Sequence, residues 1–129
     1  MDCKLKACAG WNAMREIVDP SPEAIEQAID ELIPVLHHFV ILEHEEPINH
    51  CPFIQTLITH DPTPDMQYLI ETRFEYENSF RQYKRYTNDA SELKRLFRMF
   101  ALGIVPDIDG WTDITAELIA EDKEREAYG

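Results

Sequence analysis

A chain of 129 residues is long enough for one core and too short for two, because each half alone would bury too little apolar surface to be stable. With 44% apolar and 29% charged residues it is expected to fold, and its formal net charge of −13 sets it against duplex nucleic acid and anionic lipid while favouring a basic macromolecule as partner. No apolar run approaches a membrane span, "MDCKLKACAG" lacks the apolar stretch of a secretory signal, and three cysteines make an odd count that suits reduced thiols.

These features predict a single cytosolic (cytoplasmic) domain over residues 1–129, with 1–9 and 121–129 fraying at its ends. The charge is uneven along the chain: 3 basic against 13 acidic residues in 1–72, 7 against 4 in 73–98, and 2 against 8 in 99–129.

In chain order, "GWNAMREIVDP" alternates as a strand does. The stretch "SPEAIEQAIDELI" then predicts a helix, with Ser21 as N-cap, Pro22 at the first helical position, and Ile25, Ala28, Ile29 and Leu32 as its buried stripe. Pro34 should end it near Ile33. Four strand-like segments follow: "HFVILEH", apolar on both faces as a central strand is, then "PFIQTLIT", "MQYLIETRFE" and "SFRQYKRYT". The connections "EEPINHC", "HDPTPD" and "YEN" read as turns, so the four strands form an antiparallel meander.

Alternation places Tyr68, Ile70, Thr72 and Phe74 on one side of the third of these strands and Gln67, Leu69, Glu71, Arg73 and Glu75 on the other. The mixed fourth strand reads as a charge-defended edge. Asp89 with Glu92 resembles a capping box for a second helix, whose stripe is Leu93, Leu96, Phe97 and Phe100 and whose stop is Gly103. A last helix begins near Asp113 or Thr112. The fold class is α+β: an antiparallel sheet of about five strands (N-terminal strand, helix, four-strand meander, helix) with the helices on one face.

Chemistry is sparse. His37, His38, His44, His50 and His60 all lie in one hairpin with Cys51, but their spacing gives two separate pairs, His38 with His60 and His44 with His50, rather than a set of three or four ligands. Cys51 has Glu43, Glu45 and Glu46 nearby, which oppose a thiolate. There is no glycine-rich phosphate loop. No cofactor or metal is expected, and a metal-dependent or thiol-based enzyme using residues 37–60 is the rival reading. The basic, tyrosine-bearing stretch 73–98 reads as charge balance rather than a nucleic-acid surface.

The succession of "GWNAMREIVDPSPEAIEQAIDELI", "FVILE", "FIQT", "YLIETRFE", "QYKRY", a helix and "DIDGWTDIT", over about residues 10 to 115, resembles small bacterial immunity proteins that neutralise polymorphic toxins. That resemblance implies a non-enzymatic, stoichiometric inhibitor of a cognate toxin domain, often a nuclease or deaminase. A basic toxin would be steered to so acidic a protein, and carboxylates would occupy the places of substrate phosphates. The partner-binding candidates are Glu43, Glu45 and Glu46 in the first hairpin turn, Glu71 and Glu75 on the wet sheet face, and Asp107, Asp109 and Asp113 around Trp111. Trp111 itself is expected to plug the core.

Overall fold

The computed structural model describes residues 3–9, 14–35, 37–60 and 65–128. Trp11 and most of the expected turn at "HDPTPD" lie outside them. Seven antiparallel strands, β1 (Cys3–Ala9), β2 (Met14–Val18), β3 (His38–Ile48), β4 (Cys51–Thr59), β5 (Gln67–Glu75), β6 (Phe80–Thr87) and β7 (Thr112–Asp113), form one sheet in the order β2-β1-β3-β4-β5-β6-β7. Among the described residues three helices, α1 (Pro22–Asp30), α2 (Ala90–Ala101) and α3 (Thr115–Tyr128), accompany the sheet in an α+β fold.

The sheet is wider than the expected five strands. The extra strands are β1, in the stretch expected to fray, and the two-residue β7. In β1 the sequence Cys3-Lys4-Leu5-Lys6-Ala7 alternates strictly; Leu5 is fully buried, and its backbone partners are Leu42 on β3 and Ile17 on β2. The meander of β3 to β6 follows the expected order. β7 pairs with β6 at Tyr83 and Lys84, and the chain after it extends the contact: Ile114 N–H donates to Gln82 O and Gln82 N–H donates to Thr115 Oγ1, each at 2.9 Å.

One face of the sheet carries Leu5, Val40, Leu42, Ile54 and Ile70, all essentially inaccessible, beneath Ile25, Ala28 and Ile29 of α1 and Leu93, Phe97 and Phe100 of α2. Burying each of these larger side chains contributes roughly 1.5–3 kcal/mol before entropy is charged against it. The caps fix where the helices sit. Ser21 Oγ accepts from the Ala24 N–H at 3.1 Å, and α1 ends at Asp30, short of the expected Ile33.

At the start of α2, Asp89 Oδ1 accepts from Ser91 and Glu92. The reciprocal half of the capping box is missing, because Glu92 turns to Arg85 and the Thr87 hydroxyl caps the Asp89 N–H instead. At its end Gly103, with φ of 88°, donates to Phe100 O while Ile104 donates to Met99 O, the paired bonds of a Schellman motif. Helix α3 is held mainly by its first turn, where Thr115 is buried, and is otherwise largely exposed as far as Glu126.

Candidate functional site

Because side chains alternate along each strand, the residues opposite the core face form a second surface, turned away from α1 and α2. Its rungs can be followed strand by strand. Lys6, Ile41, Gln55, Glu71, Lys84 and Thr112 are successive backbone partners from β1 to β7. On one side of that rung Cys8 pairs with Phe39, and Leu57 with Leu69 and then Tyr86. On the other, Lys4 pairs with Glu43, Glu43 with Phe53, and Arg73 with Gln82.

At the middle of this face Phe39, Ile41, Leu57 and Leu69, all half-buried, line a cleft of 240 Å³ with Gln55, Thr56 and Glu71. Pockets for drug-sized ligands run to about 300–1,000 Å³, so the space suits a side chain better than a metabolite. Gln55 Nε2 donates a hydrogen bond to Glu71 Oε2. No ion pair joins Glu71 to a basic side chain among the described residues. Lys84, its β6 partner, instead holds its ammonium 5.5 Å from the centre of the Tyr86 ring.

The flanks of the face are charge-balanced. Lys6 reaches Glu43 at 2.7 Å, and this hydrogen bond holds the lysine above its ordinary pKa. Lys4 pairs with Glu16 at 3.3 Å. Toward β6, Arg73 lies 4.5 Å over the Phe80 ring, and its Nε donates to Gln82 Oε1 at 2.7 Å. A larger groove of 320 Å³ runs beside α2, lined by Leu96, Met99, Ile104, Val105 and Pro106; there Arg85 is already paired with Glu92, and Asp107 caps the backbone N–H of Asp109.

The expected acidic turn is a different object. β3 continues through Glu45, Glu46 and Pro47 to Ile48, and the turn is only Asn49 and His50, with φ of 48° and 72°, as a type I′ hairpin requires. The extra residues are absorbed by a bulge, because Glu43 pairs with Phe53 while Ile48 pairs with Cys51. Glu43 is therefore a mid-strand residue of the open face, and Glu45 and Glu46 are exposed on the bulged end of β3. Glu71 lines the cleft, Glu75 is exposed at the end of β5, and Asp107 and Asp109 lie in the exposed loop before Trp111. Trp111 is half-buried against the core.

Asp113 is a helix-start residue. Hydrogen bonds from the Thr115 hydroxyl and backbone N–H, the latter at 2.8 Å, hold its carboxyl below the usual carboxylate range, with Arg81 3.8 Å away adding to the effect. The open face thus brings Glu43, Glu71 and Glu75 onto one surface, while Asp113 belongs to the opposite face through its pairing with Tyr83.

The histidines part company. His44 is 5% exposed and faces the core, where Nε2 donates to the Phe100 carbonyl at 2.6 Å and Nδ1 has no partner. His50 sits at the exposed turn, donates from Nδ1 to Glu75 O at 3.2 Å and packs on Tyr76, pinning the hairpin tip to the end of β5. Among the described residues no three His, Cys, Asp or Glu side chains converge as a metal site. Burial raises the Cys51 thiol pKa; its S–H points to the Thr72 hydroxyl at 3.1 Å, whose own proton goes to Phe53 O. The Cys3 thiol is pushed up to about 11, by burial first and by Asp19 and Glu43 after it. Neither is an activated nucleophile.

No helix among the described residues is long and apolar enough to cross a membrane. Comparison of the chain with known protein families, curated proteins and solved structures finds no match.

Proposed function

We propose that the chain is a protein-binding inhibitor of the immunity type, which neutralises a basic toxin domain by stoichiometric contact rather than by catalysis. One observation carries the reading: the open face of the sheet sets Phe39, Ile41, Leu57 and Leu69 half-buried in a cleft, where an antiparallel sheet facing water ordinarily shows polar residues. An apolar centre with charged side chains around it is the anatomy of a contact surface. The buried thiols and dispersed histidines give the rival, a metal-dependent or thiol-based enzyme, no assembled group to work with among the described residues. The net charge of −13 supports a basic partner, because it raises the rate at which such a partner arrives.

The test is co-expression with the toxic domain encoded by a neighbouring gene. The expected result is a 1:1 complex by size-exclusion chromatography with light scattering, together with restored growth. A toxic domain that neither binds nor is neutralised would overturn the proposal.

A further inference from the structure

We infer that the cleft on the open sheet face receives an arginine side chain of the partner protein, with its guanidinium on the Glu71 carboxylate and its aliphatic stem against Ile41, Leu57 and Leu69. The inference rests on the protein-binding reading above and specifies its chemistry. Glu71 is half-buried at the wall of an apolar cleft, yet the group that holds it is the neutral amide of Gln55. Elsewhere carboxylates at comparable positions are met by cations, as Glu43 is by Lys6 and Glu92 by Arg85. Gln55 occupies one carboxylate oxygen, Oε2, and leaves Oε1 to accept from an incoming donor.

The occupant follows from the lining. A cation must reach a carboxylate past apolar walls, which calls for a long aliphatic stem with a charged head. Phe39 in the same wall favours a planar, weakly hydrated guanidinium over a compact, strongly hydrated ammonium, because the former stacks on aromatic rings. Lys84, the neighbour of Glu71 on β6, is the one facing cation of the rung on that side, and its position over Tyr86 leaves the carboxylate free to accept. The excess of negative charge over the whole chain adds an attraction of the same sign.

The experiment titrates the isotope-labelled full chain with n-butylguanidinium, n-butylammonium and the neutral n-butylurea, following backbone amide shifts by NMR. Saturable shifts confined to Ile41, Gln55, Leu57, Leu69 and Glu71 are expected for butylguanidinium. Binding should be at least about fivefold weaker for butylurea and in Glu71→Gln, a near-isosteric change whose folding is checked by thermal melting, and stronger in Lys84→Met. Shifts scattered over the acidic surface, equal binding of butylurea, equal binding of butylammonium, or indifference to Glu71→Gln would each overturn the inference. If a toxin partner binds and Glu71→Gln leaves its affinity unchanged, the inference falls while the inhibitor reading stands. If the probe docks as described and no toxin is neutralised, the inhibitor reading falls while the cleft chemistry stands.

Discussion

Replacing His44 with leucine separates two opposing contributions at one buried position. The 2.6 Å hydrogen bond from Nε2 to the Phe100 carbonyl is worth about 1 kcal/mol net. The imidazole centroid lies 4.8 Å from the Phe100 ring, a contact that adds roughly 0.5–1 kcal/mol. Against these, Nδ1 is buried without a partner, at a desolvation cost of about 1–3 kcal/mol. Losing the imidazole does not orphan the Phe100 carbonyl, which still accepts from Gly103 N–H at 3.0 Å.

Leucine keeps most of the volume and removes the unpaired nitrogen, so His44→Leu is expected to lie between about 1 kcal/mol less stable and about 1.5 kcal/mol more stable than the parent. Alanine gains the same relief but opens a cavity, and the net expectation for His44→Ala is a loss of roughly 1–3 kcal/mol. Urea unfolding followed by far-UV circular dichroism measures both. A His44→Leu variant destabilised by more than about 2 kcal/mol would refute the balance, since the cost assigned to Nδ1 would then be absent.

Iodoacetamide at pH 8 should modify Cys8, which is only half-buried, while Cys3 and Cys51 react only in urea; peptide mass spectrometry showing all three labelled equally in the native protein would contradict the burial of the two core thiols. Asp113 has its carboxyl pKa depressed in the folded state, so its contribution is fully present above the unfolded value of about 3.9 and is lost as pH falls through the lower folded value. The stability gap between the parent and Asp113→Ala should therefore be constant from pH 5 to 7 and close below pH 4, and a gap that widens on acidification would show the sign to be wrong.

Where hydrophobic period and cap chemistry agreed, the sequence was sufficient. Ser21, Asp89 and Gly103 mark helix ends that the structure uses, and the two faces of β5 were assigned by alternation alone. β1 is not legible in the sequence because its inward positions are Cys3, Leu5 and Ala7, small or weak strand formers that signal far less than Val or Ile would. What makes it a strand is the tertiary pairing with β2 and β3, a long-range fact. The acidic turn failed for a local reason. A bulge accommodates Pro47 within β3, and the residue that marks the turn is Asn49, which tolerates positive φ, at the hairpin tip. The cleft was half legible: Leu69 and Glu71 were placed on the wet face, but that Gln55, Ile41 and Leu57 lie beside them depends on register, which periodicity leaves open.

The distribution of charge separates attraction from recognition. On the open face, ahead of the β3 bulge, the cations Lys4, Lys6, Arg73 and Lys84 stand with the anions Glu16, Glu43, Glu71 and Glu75, so this surface is nearly neutral although the chain as a whole is at −13. The acidic surplus lies elsewhere, including the exposed Glu121, Asp122, Glu124 and Glu126 of α3. A field of that kind acts over about a Debye length, roughly 8 Å at physiological salt, and so hastens the approach of a basic partner without choosing its orientation. Choice has to come from the face itself, where balanced flanks make a uniformly basic surface no better than a neutral one and a single cation aligned with Glu71 is favoured over a misaligned one. The acidic residues most visible in the sequence, Glu45, Glu46, Asp107 and Asp109, do not line the cleft. In a steered inhibitor such residues serve the encounter, and the half-buried residues between the charges serve the contact.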